Sequence, residues 1–186
     1  MPELLSGPHI HESLPSPGLA ERRRLMKTSQ FTEELETYGK SLAHAAHAHF
    51  EAIHEYLPEY LEIDPFLSRP LLLKLIDAAF RHARVGGILV LVSRAYANQL
   101  IISLHIENTI IPEAETSALL NELIAANRGS LGSTVKTVPT PRGTRQTAYG
   151  PDGKVVIDLD EVHGTTFEFR LDLPVVSRLD WLMAGT

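Results

Sequence analysis

A pair of adjacent glycines, Gly86-Gly87, separates two parts of the chain that differ in hydrophobic periodicity. Upstream of the pair, apolar residues recur every three or four positions, which is the spacing of one helix face. Downstream, β-branched and aliphatic residues fill the segments 88–94 and 100–107, and the five residues between them are enough for a hairpin connection. The chain is therefore neither all-helical nor all-β, and these patterns predict an α+β fold.

The first predicted helix lies in the N-terminal third of the chain. It is indicated by residues spaced three or four positions apart, most of them apolar: Phe31, Leu35, Tyr38, Leu42, Ala45, His49, Ile53 and Tyr56. Gly39 interrupts the series, so the pattern fits either one helix that continues to Leu57 or two shorter helices that meet at Gly39. Pro58 ends the helical segment in both cases.

Two further helices are predicted from their capping residues. The second helix begins at Asp64 or Pro65, because Asp64 is a good N-cap and proline suits the first helical position. It ends near Ala83, and Pro70 is expected to kink or restart it. Pro112 opens the third helix, which continues to about Asn127 and buries its leucines.

The remaining segments complete a predicted two-layer sandwich. Residues 128–145 are rich in Gly, Ser, Thr and Pro and are predicted to form a long loop, and 154–160 and 165–173 are predicted strands. We expect a mixed or antiparallel sheet with helices packed on it, preceded by an N-terminal helical arm. The expected divisions are a flexible leader at 1–17, a helical segment at 18–60 that is able to dimerise, and the α+β domain at 61–186.

Composition excludes several classes of protein. The 186 residues include no cysteine, which excludes disulfides, cysteine nucleophiles and zinc–cysteine sites. The formal net charge of −6 argues against broad nucleic-acid binding. The longest aliphatic run, at 88–92, is far shorter than the roughly 20 residues that span a bilayer. We therefore expect a cytoplasmic protein with no membrane and no nucleic-acid partner.

Three strings, in this order, resemble boxes of the ATP-binding domain of sensor histidine kinases, the Bergerat-type fold. LKLIDAAFRHA at 73–83 resembles the first box, N-L-x-x-N-A-x-K-H, and is followed by Gly86-Gly87. GSLGSTVK at 129–136 is similar to the glycine box, G-x-G-L-G-L-x-I-V. GTTFEFRLDLP at 164–174 resembles the closing strand, G-T-x-F-x-F-x-L-P. The resemblance extends over residues 60–174 and implies the kinase ATPase-like fold.

The sequence departs from this family where its members hold nucleotide and metal. The two asparagine positions of the first box are Lys74 and Ala78, and neither side chain offers the oxygen ligand that magnesium requires. The family's D-x-G-x-G box corresponds to 106–112, which contains no glycine, although Asn108 could meet an adenine edge. The departures predict a degenerate member, a pseudokinase without competent ATP catalysis, and no cofactor; ATP and magnesium belong only to the alternative of a divergent ATP-binding kinase.

The resemblance also identifies the residues that would form a residual nucleotide pocket. They lie in the first box, in the 106–112 segment and in the glycine box: Asp77, Ala78, His82, Asn108, Gly129 and Gly132. His82 corresponds to the end of the first box, so the family would place it near the phosphates; as an ordinary helix C-terminal residue it needs no ligand.

Nine histidines are the unusual feature of the composition, and four lie at 44–54. In a continuous helix, His44, His47, Glu51 and His54 would form one stripe. Such a stripe fits a solvated polar face, metal ligation by His44 and His47, or phosphoryl transfer. FEAIHEYLP at 50–58 resembles a kinase H-box with His54 as the helical phosphoacceptor, and HESLP at 11–15 is a second partial match with His11.

Three functional hypotheses follow. In the first, the chain is a pseudokinase of two-component signalling, a phosphotransfer intermediate or a regulatory partner of a response regulator, and a homodimer through its N-terminal helix. In the second, it is a divergent kinase or ATPase that still binds nucleotide. In the third, it is a metal-binding α+β module organised on the histidines at 44–54.

Overall fold

The computed structural model describes residues 23–96, 98–126, 134–150 and 153–173. These residues form three helices and nine strands in the following order: β1 (Arg24–Lys27), α1 (Thr28–Ala46), β2 (His49–Glu55), β3 (Tyr60–Ile63), α2 (Pro65–His82), β4 (Ile88–Tyr96), β5 (Gln99–Glu107), α3 (Glu113–Ala126), β6 (Val135–Thr140), β7 (Gly143–Gly150), β8 (Gly153–Asp160) and β9 (Gly164–Asp172).

Seven of these strands form one mixed sheet in the order β2-β4-β5-β9-β8-β7-β6. β2 and β4 are parallel, whereas every other neighbouring pair is antiparallel. β1 and β3 form a separate two-stranded antiparallel ribbon. The predicted α+β class and the two-layer arrangement of sheet and helices are confirmed.

Alternate residues of the central strands build the core between the sheet and the helices. Leu91 on β4 is paired with Leu104 on β5, which is paired with Phe167 on β9, and all three are buried. The helices contribute Phe31 and Leu35 from α1 to the same cluster, together with leucines from α2 and α3. The residues in between, such as His105, face the opposite side of the sheet, which we call the outer face.

The first helix is shorter than the sequence predicted. α1 ends at Ala46, and the next residue, His47, takes a left-handed conformation with φ of 51°. The Ala48 N–H then donates to the Ala43 carbonyl at 3.0 Å, and the His49 N–H donates to Gly87 at 2.8 Å, which starts the pairing with β4. Residues 49–55 are therefore a strand, and the prediction of helix to Leu57 is wrong beyond residue 46.

Gly39 is neither a break nor a hinge, because α1 runs through it without interruption. Its missing side chain makes room for the Phe50 ring on β2: a Cβ at this position would lie 2.3 Å from Phe50 Cζ. The Phe50 ring also contacts Phe80 of α2, with a centroid distance of 5.9 Å. The residue that weakens the helical pattern is thus the one that lets α1 lie against the first strand of the sheet.

The second helix agrees with its prediction. Asp64 caps α2, since its carboxylate accepts from the Phe66 N–H at 2.9 Å and the Leu67 N–H at 3.3 Å. Pro65 occupies the first position, as expected. Pro70 lies inside a continuous helix, so the expected restart at this residue does not occur.

The strand-rich half contains more strands than predicted. The hairpin of β4 and β5 and the third helix are confirmed, and so are β8 and β9. The predicted loop at 128–145 is wrong in its second half, because β6 and the start of β7 lie there and pair with each other. These strands are rich in Thr, and β6 is an edge strand that contains Pro139 and is exposed along most of its length. Neither strand therefore shows a clear apolar alternation.

The N-terminal region contributes to the fold rather than only preceding it. Residues 24–27, predicted to be helical, form β1, which pairs with β3 of the following segment. The predicted leader at 1–17 lies outside the described residues. None of the helices in the described ranges is long and apolar enough to cross a membrane.

Candidate functional site

An open cleft of about 350 Å³ lies between α2 and α3, above the sheet. Ala78, Arg81 and His82 line it from α2, and Glu115 and Glu122 line it from α3. The buried ring of Phe167, on β9, contributes to its floor. The cleft therefore combines an apolar floor with two walls of charged side chains.

The segment that leads from β5 into α3 is tied to the sheet by Thr165. The Thr165 hydroxyl donates to the Thr109 carbonyl at 2.9 Å and accepts from the Ile111 N–H at 3.0 Å. The preceding Gly164 has φ of +110°, and a Cβ there would lie 2.1 Å from the Ile106 carbonyl oxygen. The Gly-Thr of the closing-strand motif is thus required by the close approach of β9 to this segment.

Gln146 on β7 positions the start of α3. Its side-chain amide donates to the Ser117 hydroxyl at 2.6 Å and to the Glu113 carbonyl at 3.2 Å. Gln146 is fully buried, so these bonds form away from solvent, where hydrogen bonds between protein groups are strong. α3 is in this way anchored to the sheet at its N-terminal turn, and its carboxylates face α2 across the cleft.

One ion pair and one histidine–carboxylate contact connect α2 with α3. The Lys74 ammonium lies 2.5 Å from the Glu122 carboxylate, and His82 Nε2 lies 3.2 Å from the Glu115 carboxylate. The hydrogen bond from Lys74 lowers the pKa of Glu122, so this carboxylate stays ionised at neutral pH. Two basic side chains of α2 are therefore already paired with carboxylates of the same chain.

A second groove, of about 590 Å³, lies beside the cleft between α1, α2 and α3. Asp77 lines this groove, where it accepts a hydrogen bond of 2.6 Å from the Tyr38 hydroxyl of α1. This bond, followed by burial, raises the pKa of Tyr38. Asp77 thus holds α1 against α2 and does not line the cleft.

The residues predicted to form a nucleotide pocket are only partly brought together. Ala78 and His82 line the cleft, whereas Asp77 lies in the neighbouring groove. Asn108 is exposed at a left-handed turn after β5, with φ of 52°, and its N–H donates to the His163 carbonyl. Gly129 and Gly132 lie outside the described residues.

The histidines at 44–54 do not share a helix face. His44 is on α1 and His47 is its C-cap, whereas His49 and His54 are on β2, so the predicted stripe is wrong. His54 Nε2 faces Glu36 of α1 at 3.5 Å. In the part of the chain that the structure describes, no three His, Asp or Glu side chains are placed to hold a metal ion. His11, the other phosphoacceptor candidate, lies outside it.

Sequence reasoning missed the acidic wall of the cleft, although its spacing gives a signal. Glu115 and Glu122 are seven residues apart and so lie on one face of α3. Lys74 and His82 are eight apart on α2, which also places them on a common face. Complementary charges at matching intervals on two helices are a pattern that predicts ion pairing between them.

Solved structures of histidine kinases resemble this fold. The catalytic domain of the histidine kinase ThkA matches with a TM-score of 0.56 and 12% identity, over 81% of this chain and 96% of that one. ThkA in complex with the response regulator protein TrrA matches with a TM-score of 0.57 and 13% identity, over 81% of this chain and 41% of ThkA. Full-length ShkA in complex with AMPPNP matches with a TM-score of 0.57 and 13% identity, over 83% and 32% of the two chains.

No protein-family model and no curated protein matches the chain. The structural matches show that the chain has the fold of histidine kinase catalytic domains, as its sequence motifs implied. The chain spans less than half of the ThkA chain in its regulator complex and about a third of full-length ShkA.

Proposed function

We propose that this chain is a degenerate, histidine-kinase-like protein of two-component signalling in the cytoplasm, which acts as a phosphotransfer intermediate or as a regulatory partner of a response regulator and lacks competent ATP catalysis. The fold supports the assignment to this class, and ThkA, which shares the fold, was solved in complex with a response regulator. The pairing of basic and acidic side chains between α2 and α3 supports the loss of catalysis.

The pairing of Lys74 and His82 on α2 with carboxylates of α3 is the observation that carries this proposal. Lys74 and Ala78 stand where the resemblance places asparagines, and the Lys74 ammonium is paired with Glu122. Neither residue can supply an oxygen ligand to magnesium. Glu115 and Glu122 hold the His82 and Lys74 side chains, so these two basic groups are not free to contact a polyphosphate.

Nucleotide titration tests the loss of ATP binding. A ligand present at 100 times its Kd stabilises a protein by about 2.7 kcal/mol, which for a protein of this size raises Tm by roughly 5–10 °C. Because we propose that the chain does not bind ATP, we expect no measurable rise in Tm with 5 mM ATP and magnesium. The double variant Glu115→Gln, Glu122→Gln is the matched comparison, because it removes the carboxylates but keeps Lys74 and Ala78 at the two asparagine positions. A magnesium-dependent rise of several degrees in the unmodified chain would contradict the proposal.

Phosphoryl transfer is tested separately, with a phosphorylated response regulator as the donor. The transfer version expects acid-labile phosphohistidine on the chain, and His54→Gln and His11→Gln locate it. His44→Gln on α1 is the control, since His44 lies outside both H-box matches. Absence of label on every histidine would exclude transfer and leave the regulatory version, which direct binding of the regulator tests.

Homodimerisation through the N-terminal region is part of the same proposal. α1 already buries Phe31, Leu35 and Ala43 in the hydrophobic core of its own chain. A dimer built on α1 would therefore use its exposed side, which carries Glu33, Lys40 and His44. Analytical ultracentrifugation decides this point, and a monomer at 100 μM would contradict it.

A second candidate function is that of a divergent kinase that still binds nucleotide. The open cleft favours it, because about 350 Å³ remains between α2 and α3 and Arg81 lines it as a cation. ShkA, which has the same fold, was solved with AMPPNP. The nucleotide titration separates the two candidates, since only this one expects a rise in Tm.

A further inference from the structure

A polar pocket of about 440 Å³ opens on the outer face of the sheet, away from the helices and the cleft. Its walls are the β6–β7 turn, which contains Arg142, and the β8–β9 turn, which contains His163. Its floor includes His105 of β5 and Thr166 of β9, which are directly paired across the two strands. Nothing in the proposed function uses this pocket.

Both carboxylates of the pocket are already satisfied by donors of the chain. Asp158 accepts two hydrogen bonds from the Arg145 guanidinium, at 2.6 and 3.0 Å. Asp160 accepts from the backbone N–H groups of Val162 and His163, at 2.8 and 2.9 Å. The bond from the His163 N–H, followed by that from Val162, lowers the pKa of Asp160, so this carboxylate is ionised at neutral pH.

The Arg142 guanidinium, by contrast, has a histidine ring as its neighbour. Its Nη1 lies 3.4 Å from His163 Nδ1, and the same Nδ1 lies 3.2 Å from Asp160 Oδ1. One ring nitrogen cannot both accept from Arg142 and donate to Asp160. When Nδ1 donates to Asp160, Arg142 faces another donor; when Nδ1 accepts, it engages a single N–H of the guanidinium. In both tautomers, the remaining N–H groups of the Arg142 side chain have no acceptor among the described residues. No carboxylate among the described residues forms an ion pair with Arg142.

Other donors converge on the same space. His105 Nδ1 bonds the Thr166 hydroxyl at 2.8 Å, which leaves its second ring nitrogen for a ligand. Thr140 adds a hydroxyl at the rim. A guanidinium, an imidazole and hydroxyl groups are the donors that suit phosphate oxygens, and arginine bonds to phosphate are charge-assisted.

We propose that this pocket binds a phosphate group, with Arg142 as its main charged contact, His105 and Thr140 as additional donors, and Thr166 holding the His105 ring in place. The volume exceeds that of a phosphate ion, so the group can be carried by a larger ligand. The carrier is either a free small-molecule phosphate or a phosphorylated side chain of a protein, and the chemistry recognised is the same in both cases.

Titration of the isotope-labelled, full-length chain with inorganic phosphate tests the site. Ionic strength is held constant with chloride, and amide shifts are followed by two-dimensional NMR. We expect saturable shifts at Gly143, Val162 and Gly164, with a Kd on the order of 1 mM. Arg142→Gln should weaken binding at least tenfold. Arg94→Gln, which removes a charge from the same face at the far end of β4, should leave the Kd unchanged.

A second arm identifies the carrier. A phosphoserine peptide that binds at least tenfold more tightly than inorganic phosphate, when the unphosphorylated peptide does not bind, assigns a protein ligand; equal affinity assigns a free phosphate. Linear shifts without saturation, or equal Kd values for Arg142→Gln and Arg94→Gln, would overturn the proposal. If Arg142→Gln disturbs the spectrum globally, Arg142→Lys replaces it. This variant should still bind phosphate more weakly than the unmodified chain, because an ammonium cannot form the bidentate hydrogen bonds of a guanidinium. These outcomes are independent of the nucleotide titration, which reports on the cleft.

Discussion

Replacing Gly39 by alanine tests whether β2, rather than a continuation of α1, occupies residues 49–55. In an isolated helix this change is favourable, since glycine costs about 1 kcal/mol relative to alanine in a helix interior. In the structure the added Cβ would lie 2.3 Å from Phe50 Cζ and 2.7 Å from two further ring atoms. Carbon atoms in contact are about 3.5–4 Å apart, so the ring must move by more than 1 Å.

The ring has little freedom to move because Phe80, which is buried, lies against it. Forcing extra carbon into a packed core typically costs about 1–3 kcal/mol. After the gain of about 1 kcal/mol in helix propensity is subtracted, we expect Gly39→Ala to lower the free energy of unfolding by about 1 kcal/mol. In the Phe50→Leu background, where the ring is absent, the same substitution should instead raise it by up to about 1 kcal/mol.

Urea denaturation of the four proteins of this cycle, followed by circular dichroism, measures both effects and a coupling energy of about 2 kcal/mol. Thr37→Ala is the matched control: Thr37 is exposed on α1, and its replacement should stabilise both backgrounds by a few tenths of a kcal/mol. Stabilisation by Gly39→Ala in both backgrounds would refute the contact with Phe50, and with it the placement of β2 against α1.

Two further predictions concern the ends and contacts of α2. Asp64→Ala removes the cap from the Phe66 and Leu67 N–H groups and should cost about 1 kcal/mol in urea denaturation at pH 7. Tyr38→Phe should also be destabilising at pH 7, because it removes the hydrogen bond to Asp77. That bond raises the pKa of Tyr38, so the stabilisation is fully present below the ordinary tyrosine pKa of about 10 and is lost as pH rises through the higher folded value. The difference in urea midpoint between wild type and Tyr38→Phe should therefore shrink above pH 10; a constant difference would contradict the assignment.

Elements with strong local signals were predicted from the sequence, whereas elements defined by distant pairing were not. Asp64-Pro65 marks the start of α2 because capping depends only on neighbouring backbone, and the aliphatic run at 88–94 marks β4 in the same local way. β2 was missed because its residues tolerate a helix, and what makes it a strand is its register with β4, about 40 positions later. β6, an edge strand with a proline, gave no alternation to detect.

The candidate site was predictable only where one helix carries the information. The first-box string located the α2 wall, because Ala78 and His82 lie on one helix and its boundaries were correct. The α3 wall depends on how Gln146 of β7 anchors that helix over the cleft, and β7 was not among the predicted strands. The outer-face pocket likewise depends on the turns that follow β6 and β8, and the pairing of β7 with β8 brings these turns together.

The departures from the kinase motif belong together with the acidic wall of the cleft. A lysine in place of an asparagine would by itself put an unpaired cation where the family holds magnesium, yet Glu122 lies 2.5 Å away and pairs with it. His82 has the corresponding partner in Glu115. Returning Lys74 to asparagine would remove this partner of Glu122, so under the proposed loss of ATP binding we expect metal-bound nucleotide to require changes on both helices. At the cleft, basic side chains are thus paired within the chain, whereas on the face that the helices leave open Arg142 has no carboxylate partner among the described residues.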